Sequence, residues 1–458
     1  MTKENEVKIF KKIDKFYLSY KAVREYAMFL MRGFFYNSVN VYGLENIPRD
    51  KAYMIAPNHQ NALMDAAVII DAFQRPVFIA RADLFSNKHL AKFIEWARMM
   101  PAYRIRDGKE NLSKNEPIFK RSAEVLKNNI PIIIFPEAAH NSKRFLLPLK
   151  KGLARIAFQA EAVTDFSLDL VVIPAGIYYD NYTNLLTNVT VIYGKPISVN
   201  EFKDEFLASD NRGINLFNKK LAEEMKKLII NIENVEYYDS YEIMRHLYRD
   251  EMYKKVNLEK KNALNDLITD KELIKSLDIF NEQKPQEMKE LHEKVQEYSK
   301  GLKRLDFRDW QVKKAKFSSI SLYLQALLLL LLFPIHLFSF VNNYLPLLPQ
   351  KLINQKIKDQ QFHSSIKYVL GVLIAPLIYL LQMFIVSLFT DIWWVKWVYL
   401  ILLPASLYVS LHYYKQFVKV RSSLQFVSLQ KSNNHFLAKI LNLRKEISDK
   451  LNEISNFK

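Results

Sequence analysis

Residues 53–70 read Tyr53-Met54-Ile55-Ala56-Pro57-Asn58-His59-Gln60-Asn61-Ala62-Leu63-Met64-Asp65-Ala66-Ala67-Val68-Ile69-Ile70. The opening run is β-like and the closing run is apolar and helix-like. His59 therefore falls on a strand-to-helix turn, with Asp65 at most two helical turns later. A carboxylate that accepts from one imidazole nitrogen leaves the other nitrogen basic, which suits a base that takes a proton from a hydroxyl. The chain has no Cys, and no Ser stands in a nucleophile-elbow setting. The pair thus fits direct transfer, in which the substrate's own hydroxyl attacks. A capping Asp beside a turn His is the bland alternative, and this stretch alone does not separate the two.

Outward from this turn, short apolar runs alternate with helical periods between about Val39 and Ile197. Strands are expected at Val39–Tyr42, Tyr53–Ala56, Val77–Ala80, Pro131–Phe135, Leu170–Ala175 and Val189–Tyr193. Helices are expected near Ala62–Phe73, Asn87–Arg98, Glu116–Asn128 and Lys151–Glu161. Strands alternating with helices indicate an α/β domain.

Three more patches in this region carry chemistry. Arg104 and Arg106 alternate, so on an extended segment both point the same way and could grip a phosphate; a solvated strand edge is the competing reading. The apolar run Ile132-Ile133-Ile134-Phe135 stops at Pro136, which cannot extend a ladder, so Glu137 lies just past a strand's C-terminal end, where open α/β sheets bind ligands. Lys143, Arg144, Lys150 and Lys151 follow it, most of them expected on a solvated loop. Val171-Val172-Ile173-Pro174-Ala175-Gly176 is an apolar strand that either walls an acyl-chain pocket or is plain core.

In this order, His59…Asp65, Arg104/Arg106, Phe135-Pro136-Glu137 and Val172-Ile173-Pro174 resemble the motifs of the glycerolipid acyltransferases, whose members act on lysophosphatidic acid or glycerol 3-phosphate. The lead-in Val41-Tyr42-Gly43-Leu44-Glu45-Asn46-Ile47-Pro48 and the run Pro148-Leu149-Lys150-Lys151-Gly152 add to the likeness, which covers roughly residues 38–200. The resemblance implies a mixed central sheet flanked by helices. It implies His59 as general base, Asp65 as its orienter, Arg104 or Arg106 on the acceptor's phosphate, Glu137 positioning the polar acceptor, and Pro174 by the acyl donor. It also implies acyl-CoA or acyl carrier protein as donor substrate, with no metal and no further cofactor. Two departures stand out. Five residues, Gln60 to Met64, separate His59 from Asp65 where four are usual; the longer spacing occurs in some glycerol-3-phosphate and dihydroxyacetone-phosphate acyltransferases. Phe-Pro-Glu usually continues into Gly-Thr-Arg, but here Ala138-Ala139-His140 follows. The arginine is absent, and His140, Lys143 or Arg144 are candidates to replace it.

The remainder divides by composition. Residues 1–37 read as an amphipathic helix, either on a bilayer or packed on the next domain, and Met1–Lys15 lacks the apolar core of a cleavable signal. The acyltransferase domain is placed at 38–200 and a charged helical insertion or linker region at 201–316, with a break at Pro285. Apolar segments at 319–340, 368–389 and 393–411, within 317–415, have the roughly 20 residues that cross a bilayer. Basic flanks suggest that the first is broken near Pro334 and re-entrant while the other two form a crossing hairpin; three full crossings are the competing topology. Residues 416–458 form an amphipathic helix that lies on the membrane or pairs with the helical region.

Lys and Arg number 66 against 48 Asp and Glu, a formal charge of +18. Such a surplus attracts anions, and its spread beside apolar segments fits lipid headgroups rather than nucleic acid. Together these readings make the chain an integral-membrane enzyme with its catalytic domain facing the cytoplasm. It is expected to acylate lysophosphatidic acid to phosphatidic acid, with glycerol 3-phosphate or dihydroxyacetone phosphate as the alternative acceptor. A non-catalytic lipid-binding scaffold is the contrasting class; it would have lost His59, Asp65 or Glu137, and all three are present.

Overall fold

The computed structural model describes residue 13 and residues 17–103, 114–141, 143–259 and 262–456. They fall into two compact units. The first takes Met1–Asn231 and Ile357–Tyr368; the second takes Ile232–Lys356 and Val369–Lys458.

An eight-stranded mixed sheet forms the first unit. Its strands are β1 (Tyr36–Tyr42), β2 (Tyr53–Pro57), β3 (Val77–Arg81), β4 (Met99–Ala102), β5 (Ile132–Ile133), β6 (Val171–Tyr179), β7 (Thr187–Tyr193) and β8 (Ile197–Ser198). The order across the sheet is β1-β7-β6-β2-β5-β3-β4, with β8 beside β6. From β6 to β4 all neighbours are parallel. The pairs β6–β7 and β6–β8 are antiparallel. Parallel strands are covered on both faces and so read as unbroken apolar runs. All nine residues of β6 are buried. The six expected strands are present; β4 and β8 are additional, and both are short.

Helices α1 (Leu18–Leu30), α2 (Leu63–Ile70), α3 (Lys88–Trp96), α4 (Asn115–Lys127), α5 (Gly152–Ala162), α6 (Lys203–Ala208) and α7 (Asp210–Leu228) belong to this unit, as does the later segment Ile357–Tyr368. Met54, Ile132, Leu126, Phe158 and Phe217 belong to one core under the sheet. Phe158 stacks on Phe206 at 4.4 Å and meets Phe217 edge-on. The residue 37 boundary falls inside β1, because the N-terminal helix gives way at Phe35 to a strand that pairs with β7. Helix α1 packs on the domain: Tyr20 and Met28 are buried, and Arg24 donates to the carbonyls of Ile70 and Asp71 at the end of α2. Gly43 makes the next turn at φ 77°, where a Cβ would stand 2.0 Å from the Tyr193 carbonyl oxygen, so only glycine fits.

The second unit is helical: α8 (Tyr238–Lys255), α9 (Ala263–Gln283), α10 (Pro285–Leu305), α11 (Asp309–Lys314), α12 (Ser319–Lys356), the Val369–Ser387 part of α13 (Gln361–Ser387), α14 (Trp393–Lys431) and α15 (His435–Ile454). Pro285 opens α10, at a position where a missing N–H costs nothing. The C-terminal α15 pairs with the helical region through Lys450–Glu287 and Lys294–Glu446. Helices α12, α13 and α14 are long and apolar enough to cross a membrane. One expectation changes here. Helix α12 does not break near Pro334 but continues through it and through Pro346 and Pro349; a proline removes one ladder bond, which an apolar helix tolerates when its neighbours stay paired. Helices α12 and α14 pack extensively on each other, and there His336 stacks on Tyr413 and bonds Ser410.

Candidate active site

Three adjacent parallel strands end on the same edge of the sheet, and each delivers one part of the site. Past the end of β2 comes His59; past β5 comes Glu137; the last residue of β6 is Tyr179. Asn58 extends the sheet with its side chain, donating to the Ile177 carbonyl at 3.2 Å and accepting from the Ile177 N–H at 2.6 Å. The turn that follows is thereby fixed to β6.

On α2, Asp65 bends back to that turn. Its Oδ2 lies 2.8 Å from Nδ1 of His59 and accepts the backbone N–H groups of Gln60 and Asn61 at 2.8 and 2.7 Å. Its Oδ1 accepts the Tyr179 hydroxyl at 2.8 Å. With four donors and no solvent exposure, Asp65 is a fixed acceptor. A carboxylate only accepts, so Nδ1 of His59 carries the proton and Nε2 keeps its lone pair. Burial, reinforced by the Asp65 charge, pushes the Tyr179 phenol well above its ordinary range, and it remains a donor.

Glu137 is 1% exposed. Its Oε1 accepts the backbone N–H of His59 at 2.7 Å, and its Oε2 accepts that of Leu147 at 2.8 Å. Both oxygens are thus committed to backbone, and the carboxyl ties the His59 turn to the segment after Ala138. Burial pushes it up to about 7, against the pull of the two N–H groups. Ala138 adopts φ 54°, the left-handed region a glycine enters freely, which accounts for the glycine common at this point in the resembling motif.

The His59 ring stacks on Phe135 at 4.2 Å. His140 stands edge-on to it, with Nδ1 3.5 Å from the Nε2 of His59. Burial, then the neighbouring His59, lowers the proton affinity of His140. Arg144 does not lie on a solvated loop: it is buried, donates to the Tyr179 carbonyl at 2.7 Å and rests on the rings of Tyr178 and Tyr182. Pro174 is buried in β6 opposite Ala56 of β2. Arg104 and Arg106 lie outside the described residues. The structure thus brings His59, Asp65, Glu137 and His140 together.

Sequence reasoning missed Tyr179, Asn58 and Gln60. Reading β6 on through Ile177-Tyr178-Tyr179 would have placed Tyr179 at the same edge as His59. It also missed Phe362, Ser364 and Ser365, which belong to this unit although they follow α12 in the chain.

Residues 38–178 match the family described as Acyltransferase. Residues 242–457 match the family described as Glycerol-3-phosphate acyltransferase 2 C-terminal domain. That second range takes in the helical region and the apolar helices. Over 125 residues the chain is 26% identical to a 1-acyl-sn-glycerol-3-phosphate acyltransferase of Bacillus subtilis, covering 27% of this chain and 58% of that protein. Over 120 residues it is 28% identical to glycerol-3-phosphate O-acyltransferase 2 of Saccharomyces cerevisiae, covering 25% of this chain and 16% of that protein. The aligned stretch is thus less than two thirds of either relative. A solved structure of the 1-acyl-sn-glycerophosphate acyltransferase PlsC of Thermotoga maritima aligns with a TM-score of 0.32 and 20% identity, over 46% of this chain and 79% of that one. His59, Asp65, Glu137 and Pro174 all lie within the residues matched to the Acyltransferase family.

Proposed function

We propose that the protein is a membrane-bound O-acyltransferase that moves a fatty acyl group from a thioester donor, acyl-CoA or acyl carrier protein, to a hydroxyl of a phosphorylated glycerol. The observation that carries this reading is the His59–Asp65 dyad at the C-terminal edge of an acyltransferase-family sheet. Asp65 holds Nδ1, so Nε2 of His59 takes the proton of the acceptor hydroxyl. The oxygen bonds to the thioester carbonyl carbon, the carbon–sulfur bond breaks, and the sulfur leaves as a thiol with the proton from the imidazolium. A positioned base contributes on the order of 10²–10⁴-fold, and alignment of two substrates supplies more. Glu137 serves this step by holding the His59 backbone.

Glycerol 3-phosphate is the acceptor we favour, since the match of residues 242–457 to a glycerol-3-phosphate acyltransferase C-terminal domain supports it and the His59-to-Asp65 spacing agrees. Lysophosphatidic acid is the second reading, supported by the Bacillus relative. Either phosphate gives Arg104 and Arg106 a role. Helices α12, α13 and α14 would anchor the chain, with the catalytic domain on the cytoplasmic side where thioester donors are found. The test offers labelled acyl-CoA and acyl carrier protein to the detergent-purified full chain, with each acceptor in parallel. Lysophosphatidic acid formed from glycerol 3-phosphate, and lost in His59→Ala, supports the first reading. Phosphatidic acid formed only from the lyso acceptor replaces it with the second. No transfer to either acceptor overturns both.

A further inference from the structure

The segment Ile357–Tyr368 belongs to the catalytic unit, and two of its side chains reach the site by separate routes. Phe362 stands edge-on to the His140 ring at 5.0 Å, and His140 in turn stands edge-on to His59 at 5.1 Å. Ser365 accepts the backbone N–H of Leu63 at 3.1 Å, 302 residues away in sequence. Leu63 is the first residue of α2, the helix that carries Asp65, and its N–H has no partner within the helix. The segment itself is tied down. The Ser364 hydroxyl donates to the Tyr182 carbonyl, Lys367 donates to the Thr183 carbonyl at 2.8 Å, and Tyr368 donates to the Ala27 carbonyl at 2.7 Å. Ser364 is 1% exposed.

We propose that Phe362 is a positioning residue for the acyl-transfer site, acting through His140: its ring holds the His140 imidazole beside the Nε2 of His59 and so shapes the approach of the acceptor hydroxyl to the base. This rests on the acyltransferase reading above. The physical case is the run of ring contacts Phe135–His59–His140–Phe362, the first stacked and the other two edge-on. His59 is fixed on one face by Phe135 and through Nδ1 by Asp65. His140 has neither kind of restraint from the His59 side, since its Nδ1 only reaches Nε2 at the long limit of a hydrogen bond. An edge-to-face aromatic contact is directional, and Phe362 supplies it from the far side. Ser365 adds a second brace by capping α2 under Asp65. The site is then assembled from two distant parts of the chain, and its second part opens the apolar helix α13.

A double-mutant cycle in the full-length, detergent-purified protein separates positioning from mere packing. Phe362→Ala should lower kcat about tenfold with the KM for the acyl donor little changed, as expected of a small misplacement at a reacting centre. His140→Ala should lower kcat as well, and Phe362→Ala should cost nothing further in the His140→Ala background, since neighbours in one chain of contacts do not add. Phe362→Tyr keeps the ring and should restore the rate, while Phe362→Leu keeps the bulk without the ring and should not. If Phe362→Ala leaves kcat unchanged, or lowers it equally with and without His140, the proposal is overturned. Should Phe362→Ala not fold, the Tyr and Leu variants decide it: equal rates for both overturn it. If the wild type itself transfers no acyl group, the acyltransferase reading fails and this inference falls with it.

Discussion

Tyr179 donates its hydroxyl to Oδ1 of Asp65 at 2.8 Å, on the carboxylate oxygen that His59 does not use. The bond links the last residue of β6 to α2 across the sheet edge. Removing the hydroxyl leaves a buried carboxylate oxygen short of a donor, a change that costs about 1–3 kcal/mol. Tyr179→Phe should therefore lower the melting temperature and reduce kcat, because Asp65 is then held through Oδ2 alone. Thermal unfolding and steady-state kinetics on the same preparation check this. A fully active and fully stable variant would mean that Asp65 needs no support from β6.

The dyad gives a second expectation. His59→Ala should lose on the order of 10²–10⁴ in kcat, the usual contribution of a positioned base. Asp65→Asn should also fall sharply, because an amide can turn its NH₂ toward Nδ1, favouring the tautomer in which Nε2 carries the proton. The double variant should be no slower than His59→Ala, since the pair acts as a unit. Rates that multiply instead would show that Asp65 serves something other than His59.

Much of this edge was open to sequence reading, and what escaped it did so for physical reasons. His59, Asp65 and Glu137 sit where a strand run stops against a turn, and period and proline mark such places locally. Glu137 was legible as a strand-end carboxyl, but not as a brace between two backbone N–H groups, because that depends on which loop lies beneath it. The burial of Arg144 between Tyr178 and Tyr182 was hidden, since a lone arginine in a basic run looks solvated. Phe362 and Ser365 were out of reach altogether: nothing local in Gln360-Gln361-Phe362-His363-Ser364-Ser365 ties it to a turn 302 residues earlier. The course of α12 through Pro334 was hidden, because basic residues flank that segment on both sides and the flanks alone favoured a broken, re-entrant path.

Glu137 makes stability depend on pH in an unusual direction for a carboxyl. Its folded value of about 7 lies above the ordinary 4.5. The folded chain therefore holds the proton more tightly than the unfolded chain between those limits. The stabilisation this provides is complete below the unfolded value and is lost as pH rises through about 7. The loss is at most about 1.4 kcal/mol for each pH unit within that window. Glu137→Gln removes the titration, so its melting temperature should fall less than the wild type's between about pH 5 and pH 8. The Gln variant should also be less stable at low pH, because its NH₂ cannot accept and one of the His59 and Leu147 bonds is lost. A wild type and variant with parallel pH–stability curves would place the ionised carboxylate in the fold throughout.

In the second unit, Asn343 of α12 gathers the three apolar helices at one point. It is 2% exposed. Its amide donates to the Ser406 hydroxyl at 3.2 Å and the Leu403 carbonyl at 3.4 Å, both on α14, and its carbonyl accepts the Tyr379 hydroxyl of α13 at 2.5 Å. Apolar side chains give helices in lipid little reason to associate, so polar contacts of this kind and close packing hold such bundles together. Asn343→Leu preserves apolar bulk but strands the Tyr379 hydroxyl, and a polar contact inside a membrane bundle is worth about 0.6–2 kcal/mol. The variant should unfold at lower temperature in mild detergent, by a similar margin to Tyr379→Phe. The double variant should be little worse than either alone, because each change already removes the shared bond. Fully additive losses would mean that Asn343 and Tyr379 stabilise the bundle independently.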